Sequence, residues 1–230
     1  MNGNRASTAG VRARLDRIST DGRYFVVPMD HGITLGAVTG LADIETTIDA
    51  VTGAGTDAVL TQKGIAPRVH ENKNGKGYIV HLNGLGEVTS SAAEYGMPVL
   101  AMTYARGPDI SDPSDPDSYA EDLAHAVRLG EELGVDVVKT TYSGTSRSFE
   151  RVVESTRLPV VIAGGSKGTD EETLRMVRGA MDAGAAGVSM GRSIFQHENP
   201  AAITSAVSSV IHADVDPNEA ARQAGLAAER

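Results

Sequence analysis

Four times along this chain a helix-compatible stretch meets a glycine and is followed within a few residues by an apolar run. The four are Ala54-Gly55-Thr56-Asp57-Ala58-Val59, Tyr95-Gly96-Met97-Pro98-Val99-Leu100, Leu133-Gly134-Val135-Asp136-Val137-Val138 and Ala183-Gly184-Ala185-Ala186-Gly187-Val188. Glycine takes the left-handed conformation that stops a helix without a Cβ penalty, and a strand buried on both faces reads as a continuous apolar run. Strand, helix and short turn in repetition predict parallel βα units and an α/β fold.

This reading places strands at 24–29, 57–61, 77–82, 98–104, 135–141, 158–163 and 187–190. Helices are expected at 41–53, 86–95, 117–133, 146–155, 170–183 and 199–212, with a helical cap over 5–20 and a C-terminal helix near 217–228. Thr169-Asp170-Glu171-Glu172 has the pattern of a capping box at one helix start. A TIM (β/α)8 barrel needs eight strands, one more than these segments supply. The shortfall falls after strand 77–82, where Asn83-Gly84 leads straight into the helix that opens with Leu85-Gly86-Glu87. The expected architecture is therefore a TIM-type barrel lacking one βα unit (the third helix and fourth strand) between Gly84 and Leu85. It forms a single domain over residues 1–230, with 1–20 as the N-terminal cap and 214–230 as the C-terminal helical segment.

At 230 residues, 40% of them hydrophobic, the chain can bury one substantial core. Its formal net charge of −9 argues against a nucleic-acid partner, since such binders carry a basic face. Cysteine is absent, which removes disulfides, thiolate nucleophiles and cysteine-held metals. Met1-Asn2-Gly3-Asn4-Arg5 lacks the apolar core of a signal peptide, and no apolar run approaches the roughly 18 residues of a membrane span. A soluble, cytoplasmic chain with no membrane partner is expected.

In parallel α/β folds, sites form at the carboxyl ends of strands. Those ends here read Asp30-His31, Lys63, His81-Leu82-Asn83, Tyr104-Ala105-Arg106, Lys139, Gly164-Gly165 and Gly191-Arg192. Lys139 closes a largely apolar strand. An amine drawn away from water loses its proton more readily, and the neutral form attacks carbonyls to give a Schiff base. Its rival role is a lysine that reaches solvent from a strand end. Asp30 has the chemistry to take or give protons beside an iminium, or to cap a helix or pair with an arginine. Tyr104 has the chemistry to pass a proton to an alkoxide, or its ring packs and its hydroxyl meets water. His31 and His81 read as groups that orient neighbours, because no metalloenzyme spacing of His, Asp and Glu is present. Gly164-Gly165 and Gly191-Arg192 end the last two strands, where barrels commonly hold phosphate on glycine amides and an arginine. Glycines there also serve ordinary turns. The proline-rich, polar segment 108–116 is a candidate lid.

These motifs together resemble the archaeal class I (DhnA-type) aldolase family. The match rests on Val27-Pro28-Met29-Asp30-His31-Gly32, Tyr104-Ala105-Arg106-Gly107, Val138-Lys139-Thr140-Thr141-Tyr142-Ser143-Gly144, Ala163-Gly164-Gly165 and Gly191-Arg192-Ser193-Ile194-Phe195-Gln196-His197, and spans about residues 10 to 215. Within the family, archaeal fructose-bisphosphate aldolases typically continue Asp-His-Gly into a further Glu-His-Gly. Here Ile33-Thr34-Leu35-Gly36 follows, which favours the branch that makes 2-amino-3,7-dideoxy-D-threo-hept-6-ulosonate for aromatic amino acid biosynthesis.

The resemblance implies Lys139 as the Schiff-base lysine, Tyr104 as proton donor and Asp30 as proton acceptor. It implies substrate contacts from Asp30, His31, Gly32, Ile33 and Thr34 and from Tyr104, Ala105 and Arg106, with phosphate bound by Gly164, Gly165, Gly191 and Arg192. The implied reaction replaces the dioxopropyl phosphate part of a 6-deoxy-5-ketofructose 1-phosphate-type donor with L-aspartate 4-semialdehyde, and uses no metal or organic cofactor. A homo-oligomer, often a decamer, is the family habit. Two other outcomes follow from the same residues: a class I fructose-bisphosphate aldolase, or an inactive deletion variant that only binds sugar phosphate. The absent βα unit is the departure from the family pattern, and it bears on the spacing of every catalytic group.

Overall fold

In the computed structural model the glycine junctions do what their sequence predicts. Gly55, Gly96, Gly134 and Gly184 all have positive φ (114°, 61°, 77° and 86°) and each is followed by a strand. The structure describes residues 9–31, 39–62, 65–67, 69, 74–82, 85–165 and 168–226, the backbone alone at 85–87. Contacts group the chain into two bodies, one of residues 1–16, 83–163 and 179–187, the other of residues 17–82, 164–178 and 188–230.

Strands β1 (Tyr24–Pro28), β2 (Ala58–Gln62) and β3 (Gly77–His81) belong to the second body. They pair in parallel, with Val26 opposite Ala58 and Ala58 opposite Gly77. Strands β4 (Leu100–Met102), β5 (Val137–Thr140) and β6 (Val160–Ala163) belong to the first, also in parallel, with Met102 opposite Lys139 and Lys139 opposite Val161. Strand β7 (Gly187–Ser189) is common to both bodies. Ala186 N donates to Val160 O at 2.8 Å just before it, and Met190 N donates to Val26 O at 3.0 Å just after it. The hydrogen-bonded order of the seven strands is β3-β2-β1-β7-β6-β5-β4. That order ends on the two strands flanking the place where the sequence lacks a βα unit.

Two of the junctions share an unanticipated device. Asp57 N donates to Phe25 O (2.9 Å) while the Asp57 carboxylate accepts from Phe25 N (2.7 Å). Asp136 treats Val99 in the same way, at 2.9 Å and 2.8 Å. Both acids are buried, at 6% and 2% exposure, so the bonds offset the cost of removing each carboxylate from water. Each acid thereby fastens the start of one neighbouring strand.

In the first body, helices α1 (Ala9–Leu15), α3 (Leu85–Glu94), α4 (Pro116–Glu132) and α5 (Ser146–Glu154) accompany β4 to β6. Leu123, Val127, Phe149 and Val152 pack there with Val137, Val138 and Val161 buried. In the second, α2 (Ile44–Gly53), the short α7 (Arg192–Phe195), α8 (Pro200–His212) and α9 (Pro217–Gln223) surround a core that includes Phe25, Ile48, Phe195 and Ile211. Helix α6 (Asp170–Asp182) passes from the second body into the first at Gly179. Helices α4, α8 and α9 start alike: Asp115, Asn199 and Asp216 accept a backbone N–H from the first turn, and each is followed by proline, whose missing N–H costs nothing at that position. The capping box holds, with Thr169 N donating to Glu172 Oε2 (2.9 Å) and Glu172 N donating to Thr169 Oγ1 (3.1 Å).

Some boundaries differ from the sequence reading. The helix expected over 5–20 is α1 followed by a 3-10 turn at Asp16–Ile18, and residues 1–8 lie outside the described part. The tight turn sets Ile18 directly against Gly77, where any side chain would collide with Arg17 O and Ile18. The strand expected over 98–104 shortens to Leu100–Met102, consistent with Pro98 having no N–H to give a ladder. The C-terminal helix stops at Gln223, ahead of Gly225 with φ 70°. In segment 108–116, the candidate lid, Ser111 N donates to the Asp122 carboxylate at 2.8 Å. No helix among the described residues is long and apolar enough to cross a membrane.

Candidate active site

Lys139 is the third residue of β5 and is buried, at 6% exposure. The apolar pattern Val137-Val138 places it: both valines are buried, and Lys139 follows them before the chain leaves the strand at Thr140. Burial of an amine penalises its charged form, which is what a Schiff-base nucleophile requires. The Lys139 carbonyl accepts from Thr103 N at 2.9 Å, so the β4 pairing continues one residue past Met102 and delivers Tyr104 next. Tyr104 is half-buried, and the Arg106 guanidinium lies 5.3 Å from its ring centroid, within cation–π range. Ala105 is half-buried between them and Arg106 is exposed. Lys139, Tyr104, Ala105 and Arg106 therefore stand on neighbouring strand ends of one body. Tyr142, three residues beyond Lys139, is a packing residue: its ring lies 5.2 Å from that of Phe149, and burial pushes its phenol pKa up.

In the second body Met29 N donates to Leu60 O (2.7 Å), and Asp30 follows at the end of β1. One Asp30 carboxylate oxygen bonds His81 Nδ1 at the end of β3, and the other lies 3.4 Å from His31 Nδ1. The Asp30 side chain keeps 12% exposure and His81 keeps 21%. Among the described residues the carboxylate thus lies between two imidazoles. His81 makes a hydrogen bond to the carboxylate, and His31 lies at ion-pair distance from it. His31 also meets the Phe195 ring edge-on, with centroids 5.4 Å apart. Gly32, Ile33 and Thr34, expected to contact substrate, lie outside the described residues, as do Lys63 and Asn83.

The expected phosphate residues are also in this body. A Cβ on Gly191 would collide with Pro28 O and crowd His31 and Phe195, and one on Gly164 would collide with Met190. Close packing at the ends of β6, β7 and β1 accounts for both glycines, whether or not a ligand uses their amides. Gly165 has φ 64° and open space around it. Arg192 donates from Nη2 to Gly165 O at 2.8 Å, which joins the two glycine-bearing strand ends. Sequence reasoning missed Ser193, which begins the turn after Arg192. It is 6% exposed, and its hydroxyl has no hydrogen-bond partner among the described residues. A serine following Gly-Arg at a strand end was the available signal.

The sequence matches the DeoC/LacD family of aldolases over residues 24–86 and again over 80–197. The two matched stretches meet at the point where the βα unit is lacking. The chain is 49% identical to a 2-amino-3,7-dideoxy-D-threo-hept-6-ulosonate synthase of Halobacterium salinarum, over 95% of this chain and 97% of that one. It is 31% identical to the synthase 1 of that name in Archaeoglobus fulgidus, over 91% and 94% of the two chains. Those comparisons run over 263 and 256 residues, more than the 230 present here, so both relatives carry residues without a counterpart in this chain. Among solved structures, that of an archaeal fructose 1,6-bisphosphate aldolase superposes with a TM-score of 0.79 at 23% identity, covering 89% of this chain and 99% of the other, which establishes the TIM-barrel-type fold. With seven parallel strands among its described residues, the chain belongs to the DeoC/LacD family of aldolases.

Proposed function

We propose that the chain is a Schiff-base transaldolase that makes 2-amino-3,7-dideoxy-D-threo-hept-6-ulosonate in aromatic amino acid biosynthesis. The likeness to the Halobacterium salinarum synthase along nearly the whole chain carries this reading. Lys139 Nζ attacks the donor ketone and water leaves, giving an iminium. The iminium takes up the electron pair of the adjacent carbon–carbon bond as the dioxopropyl phosphate part departs as an aldehyde, its hydroxyl proton passing to Asp30. The enamine then attacks the carbonyl of L-aspartate 4-semialdehyde, Tyr104 protonates the new alkoxide, and water releases the product and Lys139; Asp30 gives up its proton to solvent and Tyr104 regains one from it, which restores both groups. Asp30 to Thr34 and Tyr104 to Arg106 contact the substrates, and Gly164, Gly165, Gly191 and Arg192 take the phosphate. The burial of Lys139 and the two imidazoles on Asp30 support these roles. We assign the chain to the cytoplasm and to a homo-oligomer of the family's kind, without a metal or organic cofactor.

Borohydride reduction in the presence of a keto sugar phosphate tests the reading: mass added at Lys139, together with consumption of aspartate semialdehyde, is expected. An unmodified Lys139 would remove it. A second reading, fructose-bisphosphate aldolase on the same residues, draws on the fold shared with the archaeal enzyme, and triose phosphate release without semialdehyde turnover would select it. A sheet order that ends at β3 and β4 favours a third, a protein that binds sugar phosphate without turnover. Phosphate-dependent thermal stabilisation with no product would select that one.

A further inference from the structure

His197 lies outside the residues assigned to catalysis or binding, yet it ties together the two loops that carry the phosphate glycines. Its Nε2 is 3.0 Å from the carboxylate of Asp170, the first residue of α6, which follows the Gly164-Gly165 loop. Its Nδ1 accepts from Asn199 N at 2.8 Å, and Asn199 caps α8. Its own N–H donates to Ile194 O (3.1 Å) in the α7 turn, which is closed on Gly191 by Ile194 N and Phe195 N donating to Gly191 O (2.8 and 2.9 Å). An amide N–H only donates, so Nδ1 carries no proton and the Nε2–H points at Asp170. The side chain is 14% exposed and uses both ring nitrogens in this one tautomer.

We propose that His197 is a positioning residue that sets the spacing of the Gly164-Gly165 and Gly191-Arg192 loops, so that both engage one phosphate group. The inference rests on the proposed phosphate site. The Arg192 bond to Gly165 O joins the loops near their glycines, and the Asp170 bond joins them at the far side of the turn. Two links fix a spacing that one leaves free to pivot. Amides placed for an anion lose much of their effect when displaced by about 1 Å.

Two substitutions separate the two ring bonds. Asn at 197 offers an oxygen near the position of Nδ1 and keeps the Asn199 bond but falls short of Asp170. Gln reaches toward Asp170 and gives up the Asn199 bond. Binding of inorganic phosphate is read by calorimetry on the full chain, and Lys139 trapping by borohydride is read against fructose 1-phosphate concentration. His197→Asn is expected to weaken phosphate binding and to raise the half-saturating sugar phosphate by about tenfold, the worth of one charge-assisted bond, with the maximal trapping rate within about threefold of the parent. His197→Gln and Asp170→Asn, which keep the Asp170 link, stay near the parent in both readouts. A purely structural role would instead lower the melting temperature of His197→Asn with phosphate affinity unchanged. That result, or equal losses in the Asn and Gln variants, overturns the proposal. Parent protein that binds phosphate but is never trapped at Lys139 removes the transaldolase reading and leaves His197 standing. Parent protein that binds no phosphate removes both.

Discussion

Asp136 holds Val99 through both main-chain polar groups of the valine, its N–H donating to Val99 O at 2.9 Å and its carboxylate accepting from Val99 N at 2.8 Å. In an antiparallel pair two residues exchange such bonds through backbone alone. Here an aspartate side chain supplies the acceptor that parallel geometry leaves out. Asp57 does the same for Phe25, and its carboxylate also accepts from Thr20 Oγ1 at 2.7 Å. Val99 stands just before β4, a strand at the end of the sheet order, so its anchorage falls largely on this acid.

Asp136→Ala is therefore expected to lower stability by about 2–4 kcal/mol, since it strands a buried N–H and opens a small cavity. Asp136→Asn keeps an oxygen acceptor and should lose less than half as much. Urea unfolding of the two variants checks the order, and equal losses would refute the carboxylate's role as acceptor.

Lys139→Met removes a buried amine and keeps roughly its volume. Borohydride trapping is expected to be abolished, while stability changes by less than about 1.5 kcal/mol, the range of a volume-conserving swap. Loss of both stability and trapping would mark Lys139 as a structural partner.

His81→Ala should lower turnover on the order of tenfold or more, with the Michaelis constant little changed, because it frees the Asp30 carboxylate to rotate. Gly191 and Gly134 stand in different surroundings. Gly191→Ala meets the backbone at Pro28 and is expected to destroy sugar phosphate binding, whereas Gly134→Ala, in open space at φ 77°, should cost only about 1–2 kcal/mol of stability. Thermal denaturation with and without ligand separates these cases.

The Glu131 carboxylate accepts from Thr156 Oγ1 (2.7 Å), which holds its pKa below the usual glutamate value. A folded-state pKa below the unfolded one adds stability that is fully present above the unfolded value and is lost as pH falls through the folded one. Glu131→Gln should thus be less stable than the parent near neutral pH, by under about 1 kcal/mol after solvent screening, and the gap should close in the acid range below the ordinary glutamate pKa. Urea midpoints at pH 7 and in acid check the sign.

Much of the fold was legible because glycine stops and apolar runs act locally: all seven strands and the Thr169 capping box stand where the residues indicate. The place of Lys139 near the end of a buried strand was legible for the same reason. What escaped depends on contacts distant in sequence. Nothing local to Asp57 or Asp136 says that a carboxylate within a strand entry will be buried against a neighbour's amide. His81 and Asp30 are 51 positions apart, and only the β1–β2–β3 pairing makes them partners. The turn at Arg192–Phe195 is too short for helical periodicity to announce, and the bonds of His197 depend on it.

Because the aspartate latches at Asp57 and Asp136 each grip one adjoining strand, those two repeats carry their own fastening to a neighbour. Such a polypeptide is built like a row of linked carriages: one can be uncoupled at a junction while those remaining stay hitched in their former sequence. What departs with it is whatever that carriage alone contributed to the cargo.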